Sequence, residues 1–302
     1  MEIERSLLQS VKPDLVILSG DMVSGYVWDG QESCFYEKLW KKFTQPFLEL
    51  HVPYGLTIGN HDTEGDLTAR EIATLDMTHP YSVTQCADFK NPATYTIQVY
   101  SNIEPETVAA NIWVFDTGDY GCDGDSDGYG CIEDDQIEWY NKESALFKEQ
   151  HGTTAIHLAF FHIPIPEFMQ AVNQYPFFGD HLELVHCPFF NTGFFDAVKA
   201  NGDISAMFVG HDHYNTYGVV MDGIEMIYGA KTGVGSYGPR RGVQHGGRVI
   251  KLRESKDANG TLQISKEYFI MNRDGTIKYD SELKNRTMAW QNHCIGPSKY
   301  FP

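Results

Sequence analysis

The chain has 302 residues, and hydrophobic side chains make up 42% of them, which is enough for a folded core and excludes a disordered protein. Its 23 basic and 41 acidic side chains give a formal net charge of −18, which repels polyanions and argues against a nucleic acid as partner. No apolar run is long enough for a membrane span, and the charged first residues lack the apolar stretch of a signal peptide. The cellular compartment and the oligomeric state stay open.

Apolar patterns predict helices and strands that alternate along the first two thirds of the chain. The predicted helices lie at residues 33–50, 66–76, 133–149 and 194–200. The strands among them lie at residues 14–20, 53–58, 93–100, 111–116, 154–161 and 204–210. Only strands follow, at residues 215–221, 224–229, 247–253 and 262–270. Alternating units followed by a run of strands predict two sheets with helices outside, a layered α/β sandwich.

Four of these strands end in polar residues, in the blocks SGD, GNHD, AFFHIP and FVGHDHYN. Each block alone has a plainer interpretation, as a tight turn or as a buried core histidine. In open α/β sheets, however, ligands bind beyond the carboxyl ends of the strands, so the four blocks can converge in one crevice. Together they supply Asp21, Asn60, His61, Asp62, His162, His211 and His213.

Imidazole nitrogens combined with carboxylate and carbonyl oxygens suit zinc, manganese or iron better than a thiolate site or a calcium cage would. Two such ions about 3.5 to 4 Å apart can hold a hydroxide and clamp the oxygens of a phosphate. The leaving alkoxide then needs a proton. A histidine beside a metal-binding asparagine is placed to give it, and a neighbouring aspartate can orient the ring.

The order GD, GNHD, H and GHDH resembles the calcineurin-like metallophosphoesterase superfamily. The stretches KPDLVILSGD, FDTGDY, FHIPIPEF, NTGFF and YGAKTGVGSYGPRR are similar to its purple-acid-phosphatase-like single-domain branch, and the resemblance runs from about residue 11 to residue 253. It implies a four-layer αββα sandwich with two mixed β-sheets. A single domain is expected over residues 1–302, with residues 254–302 as a C-terminal extension of strands and tail.

The resemblance also implies a set of metal ligands. Asp21 matches the bridging carboxylate, and Asn60, His162 and His211 match the other ligands of one metal. His213 matches a ligand of a second metal. The cofactors implied are divalent ions, manganese, iron or zinc, up to two per chain in a binuclear centre.

The implied activity is hydrolysis of phosphomonoesters by in-line attack of a metal-activated hydroxide, on a phosphorylated small molecule or a phosphoprotein. His61 matches the general acid, and Asp62 matches its partner. In purple acid phosphatases a tyrosine lies three residues after the bridging aspartate. Here that position is Ser24, so no purple chromophore is expected.

The superfamily begins with a strand that ends in a DxH motif, whereas residues 1–10 resemble the helix that follows that strand. Either the first strand has been lost by truncation or a wrong start, or the protein lacks half of one metal site. We expect one well-formed site, one weakly held site, and an unpaired sheet edge. The alternative function is therefore a weak or inactive interaction module with the same fold.

The stretch CDGDSDGYGCIEDD gives a second metal hypothesis, a calcium loop. Its ligands would be Asp123, Asp125, Asp127 and Asp134, with aspartate in place of the usual glutamate at the last position. The alternative is a solvated acidic loop. Cys122 and Cys131 bracket the loop and could pair in an oxidising compartment, although the pairing of six cysteines is not readable from sequence.

Overall fold

A computed structural model describes residues 2–122, 125–279, 282–285, 288 and 290–297, with the backbone alone at residues 125 and 126. The helices of this part are α1 (Glu2–Val11), α2 (Phe35–Leu50), α3 (Ala69–Asp76), α4 (Asp134–His151), α5 (Pro166–Gln174) and α6 (Phe194–Asn201). The strands of the first half are β1 (Val16–Ser19), β2 (Tyr54–Thr57), β3 (Tyr95–Tyr100), β4 (Val108–Val114), β5 (Tyr120–Cys122) and β6 (Asp125–Tyr129). Those of the second half are β7 (Ile156–Phe160), β8 (Phe177–Phe178), β9 (Ile204–Val209), β10 (Gly218–Met221), β11 (Ile224–Tyr228), β12 (Gly246–Lys256), β13 (Leu262–Asn272) and β14 (Ile277–Tyr279).

A seven-stranded mixed sheet forms the centre, in the order β3-β4-β7-β9-β11-β10-β8. Its middle strands β4, β7, β9 and β11 are parallel, and antiparallel strands flank them on both sides. Helices cover one face and a second layer of strands covers the other. Because both faces are buried, the middle strands read as nearly continuous apolar runs, which is why the sequence revealed them.

Alternate side chains of each middle strand point to opposite faces. In β4 and just beyond it, Trp113 and Phe115 pack into the core beneath helices α4, α5 and α6. Ile112 and Val114 pack into the core between the two layers of strands. The large sheet therefore has a separate hydrophobic core on each face.

The second layer of strands comprises the parallel pair β1–β2 and the antiparallel set β12–β13–β14. Both sets pack on the large sheet, for example through Ile17 and Ile250. Helices α1, α2 and α3 cover the β1–β2 pair through Leu8, Tyr36 and Ile72. The predicted layered α/β sandwich is thus confirmed. Among the described strands, β1 pairs with β2 alone, and the two sets of the second layer are not hydrogen-bonded to each other.

All the helices and strands predicted from the apolar patterns are present, with ends shifted by a few residues. The prediction missed α5, the β5–β6 hairpin and the short strands β8 and β14. None of the helices in the described part of the chain combines the length and the apolar character that crossing a membrane requires.

The C-terminal extension is fastened to the body of the protein. The Gln291 side chain accepts a hydrogen bond from Val185 N at 2.8 Å and donates one to Val185 O at 2.7 Å. A disulfide joins Cys187 to Cys294 close by. A second disulfide joins Cys122 to Cys131, the pair that brackets the acidic loop.

All four paired cysteines are buried, so the two disulfides do not differ in exposure. They differ mainly in the length of chain that each closes into a loop. The pairs are separated by 107 and 9 residues. We expect loss of the long-range pair (Cys187→Ala with Cys294→Ala) to lower the free energy of unfolding by about 2 kcal/mol more than loss of the short-range pair does. Urea unfolding of both double variants, purified without reductant, measures this difference. Equal losses would contradict it.

Candidate metal centre

The ends of four strands meet at one edge of the sandwich. The parallel register of β7 and β9 places the C-terminal ends of these two strands at the same level. The register of β1 and β2 does the same for their C-terminal ends. The residues that follow these ends are Asp21, Asn60, His162 and His211. The shared level of the strand ends is what allows four distant segments to meet.

Two glycines make the close approach possible. Gly20 has φ +87°, and a Cβ on it would overlap the His162 ring. A Cβ on Gly59 would overlap the carboxylate of Asp21. The glycines of the SGD and GNHD blocks therefore leave room for the ligands that follow them.

Donor atoms of four side chains converge on one point. His162 Nε2 lies 3.2 Å from Asp21 Oδ2, 3.2 Å from Asn60 Oδ1 and 3.3 Å from His211 Nδ1. The ligand atoms of Asp21, His162 and His211 all lie within 4.8 Å of one another. These mostly buried atoms carry lone pairs that repel one another. A divalent cation bound among them would remove that repulsion.

The far side of the His162 ring fixes its tautomer. Nδ1 lies 2.6 Å from the Ser19 carbonyl oxygen, to which it can only donate. That bond leaves Nε2 to act as a ligand, and carbonyl support of this kind is usual for metal-binding histidines.

Electrostatics favour the metal-binding forms of Asp21 and His211. Burial alone would raise the pKa of Asp21, but the neighbouring His162 holds that pKa well below its usual range. Burial, together with His162, lowers the pKa of His211 well below its usual value. Asp21 is therefore a carboxylate and His211 a neutral imidazole at neutral pH, the forms that ligate divalent ions. Although burial alone would lower the pKa of His162, Asp21 raises it, so His162 gives up its Nε2 proton when an ion binds.

His213 lies outside this convergence. Its Nδ1 is 2.8 Å from the Tyr237 carbonyl oxygen, and its ring stacks on the Tyr237 ring with centroids 4.1 Å apart. Its Nε2 thus stays available for a ligand, as in His162. The second, weakly held site of Asp21 and His213 stays a prediction.

His61 stands at the rim of the cluster. Its backbone N–H donates to Asp21 Oδ1 at 2.9 Å, and its side chain is 37% exposed. Its ring Nδ1 lies 2.7 Å from Glu64 Oε2. The ring is therefore oriented by Glu64, a residue that the sequence analysis did not select.

The prediction that Asp62 orients the His61 ring is wrong. The buried Asp62 carboxylate accepts hydrogen bonds from the backbone N–H groups of Asp21, Val23 and Gly59 at 2.8 to 2.9 Å. It also accepts one from the Tyr36 hydroxyl at 3.1 Å. Asp62 holds the loops after β1 and β2 together instead.

A second group with metal-binding potential adjoins the first and consists of Glu183, His186 and Asp212. His186 Nδ1 lies 2.7 Å from Asp212 Oδ1, and its ring lies 6.2 Å from the His211 ring. Burial and the nearby Asp212 raise the pKa of Glu183 to about 7. Glu183 and His186 were not predicted because they lie in a loop and not at the end of a strand. The only signal was their spacing in HLELVHC.

The structure describes only part of the predicted calcium loop. Asp123 lies outside the described residues, and the Asp125 side chain is not described. Asp127 is exposed on β6 and Asp134 begins α4. β5 and β6 are antiparallel, and Tyr120 pairs with Tyr129. The acidic sequence therefore lies partly in a strand pair. The calcium site stays a prediction.

Comparison with known proteins gives consistent results. The sequence profile of the family described as "Calcineurin-like phosphoesterase" matches residues 2–215. "Probable inactive purple acid phosphatase 29" from Arabidopsis thaliana is 28% identical over 84% of this chain and 68% of its own length. "Probable inactive purple acid phosphatase 28" from the same plant is 28% identical over 92% of this chain and 73% of its own length. "Phosphatase DCR2" from Saccharomyces cerevisiae is 28% identical over 70% of this chain and 38% of its own length.

Among solved structures, a dimetal phosphatase from Danio rerio superposes with a TM-score of 0.50. The two chains are 13% identical, and the match covers 76% of each. At this identity the likeness concerns the fold alone, and it supports the layered sandwich.

The support that Asp62 gives to Asp21 can be tested with Asp66 as a matched control. The Asp66 carboxylate accepts hydrogen bonds from the Phe35 and Tyr36 N–H groups at the start of α2 and does not contact Asp21. We expect Asp62→Ala to weaken Mn²⁺ binding about tenfold or more, because Asp21 loses its support. We expect Asp66→Ala to lower the free energy of unfolding by about 1 kcal/mol and to leave metal affinity unchanged. Calorimetric titration with Mn²⁺ and urea unfolding measure both effects. Unchanged metal affinity in Asp62→Ala would contradict the assignment.

Proposed function

Since the chain belongs to the calcineurin-like phosphoesterase family, we propose that it is a metal-dependent phosphatase that hydrolyses phosphomonoesters. Divalent ions and phosphate-ester substrates follow from the family. The observation that supports the finer proposal is the convergence of Asp21, Asn60, His162 and His211, with His61 at its rim.

The donor set favours manganese, zinc or iron as the ion. Asp21, Asn60, His162 and His211 would hold it, and Asp21 with His213 would hold a second ion more weakly. When bound, such an ion lowers the pKa of a water ligand and polarises a phosphate oxygen. Because their own hydrogen bonds already fix Asp21 and His162, these ligands need little rearrangement to bind.

In this proposal His61 is the general acid. Its backbone is tied to Asp21 and its Nδ1 to Glu64, which together fix the plane of the ring. No described residue hydrogen-bonds to Nε2, so that nitrogen can carry a proton toward the departing oxygen. Glu64 occupies Nδ1, so Nε2 is the nitrogen from which the proton is transferred.

The alternative is an interaction module with the same fold and little or no turnover. It is favoured by the names of the Arabidopsis relatives, which describe them as probable inactive purple acid phosphatases. The retained cluster and the oriented His61 favour the enzyme. Metal binding alone does not separate the two functions, since a module can keep the ion, whereas the role of His61 does.

We expect Mn²⁺-loaded protein to hydrolyse 4-nitrophenyl phosphate, and His61→Ala to lower kcat about 10²- to 10⁴-fold. The loss should be greater for glycerol phosphate than for 4-nitrophenyl phosphate, because nitrophenolate leaves without a proton. The control is His151→Ala, which changes a histidine at the end of α4 and should have no effect. Initial rates with both substrates measure this. If metal-loaded wild type turns over neither substrate, the interaction module is favoured.

Metal stoichiometry gives a separate prediction. We expect one tightly bound divalent ion per chain, lost in His211→Ala but kept in His213→Ala, because only His211 belongs to the convergent group. Elemental analysis after gel filtration, on wild type and both variants, measures the ratio. Two tightly bound ions per wild-type chain, or loss of the ion in His213→Ala, would contradict this prediction.

A further inference from the structure

A pocket of about 530 Å³ opens beside His61, on the side away from the large sheet's helices. Its first wall is the segment 22–27, directly after Asp21. Leu39 and Phe43 of α2 form the second wall. Gly235 and Ser236 close it from the glycine-rich loop between β11 and β12. Three separate parts of the chain thus build one pocket against a residue of the candidate site.

The pocket is mainly apolar and has an apolar rim. Tyr26 and Val27 line it while remaining 57% and 67% exposed. Val234 and Tyr237, which flank Gly235 and Ser236 in the chain, are 74% and 43% exposed. Single exposed apolar side chains are ordinary, but a group of them around one opening marks a surface that binds an apolar partner.

The pocket adjoins the metal cluster through His61, which lines the pocket and hydrogen-bonds to Asp21. Gly25 N–H donates to the His61 carbonyl oxygen at 2.8 Å, which fixes the Tyr26–Val27 wall against His61. On the other side, Tyr237 stacks on His213. The proposed general acid therefore contacts both the cluster and the pocket. A phosphomonoester whose leaving oxygen takes its proton from His61 must place its alcohol portion on this side.

The positive charge of one lining residue favours ligands that carry an acidic substituent. Besides His61, the described lining has one basic side chain, Lys42, which is exposed. On the same helix, Lys38 pairs with Glu32 and Lys41 pairs with Glu37, whereas Lys42 makes no ion pair with a described residue. A cation beside an apolar wall, in a chain of net charge −18, attracts an acidic substituent locally.

We propose that this pocket is the leaving-group site and that it takes an aromatic alcohol portion, preferably one with a carboxylate beyond the ring. The ring lies against Val27, Leu39 and Phe43, and the carboxylate meets Lys42. This inference rests on the proposed phosphatase function, since it assigns the part of the substrate that His61 protonates. It names aryl phosphomonoesters as the substrate class.

Phosphonates that cannot be hydrolysed test the pocket without turnover. In calorimetry with Mn²⁺-loaded protein, we expect benzylphosphonate to bind about tenfold more tightly than methylphosphonate, because the ring leaves water. We expect 4-carboxybenzylphosphonate to gain about a further threefold from Lys42, as suits an exposed ion pair.

Two substitutions at exposed positions, where the folded core is not disturbed, locate the effect. Val27→Glu places a charge in the apolar wall and should reduce the preference for the benzyl group to about twofold or less. Lys42→Gln should remove the gain from the carboxylate and keep the preference for the ring. Lys41→Gln, on the same helix but outside the lining, should change neither ratio. Thermal melts of each variant confirm folding.

The outcomes separate the inference from the function on which it rests. Equal binding of benzyl- and methylphosphonate, or no binding of either, overturns the inference. A preference that Val27→Glu and Lys42→Gln leave intact overturns its location. The predicted binding pattern without turnover of any phosphomonoester supports the pocket and refutes the phosphatase. Turnover of aryl and alkyl phosphates without a binding preference refutes the pocket and supports the phosphatase.

Discussion

The candidate site depends on one buried carboxylate. The Asp62 carboxylate accepts hydrogen bonds from the backbone N–H groups of Asp21, Val23 and Gly59. These bonds join the loop after β1 to the loop after β2. Burial and the nearby Asp21 raise the pKa of Asp62 to about 7, and the backbone hydrogen bonds that these loops donate oppose that rise. The same bonds determine where Asp21 and Asn60 can lie. The carboxylate and the loops therefore stabilise each other, and the ligand positions follow from that arrangement.

The sandwich sets the other half of the site. The parallel strands β7 and β9 end at the same level, so His162 and His211 leave the large sheet side by side. The second layer brings Asp21 and Asn60 to the same edge. Neither layer holds a complete set of ligands. The interlayer core, in which Ile17 packs with Leu158 and Phe208, thus holds the two halves of the candidate metal centre together.

The sequence predicted those features that depend on local pattern. Buried parallel strands are apolar throughout, and the ligands follow their ends, so the amino-acid pattern is sufficient to group Asp21, Asn60, His162 and His211. α5 was not predicted, although Pro166 occupies its first turn, where proline is tolerated. The partner of His61 was misassigned because Asp62 is its neighbour in sequence. His61 precedes a 3-10 helix, Asp62–Glu64, in which side chains three residues apart align, so Glu64 meets the ring. The pairing of His186 with Asp212 depends on the path of the chain and has no local signal.

Ion binding and catalysis make separate demands on this fold. Converging lone pairs of Asn60, His162 and His211 beside an ionised Asp21 are costly to bury together without a cation, so the cluster favours an ion whether or not a substrate is ever turned over. The His61 side chain, 37% exposed and paired with Glu64, is not among the grouped donor atoms, and only its backbone N–H supports Asp21. The proposed role of His61 as general acid accounts for that position. In the proposed enzyme, loss of turnover without loss of the ion would therefore follow from a change at His61 and not among the ligands.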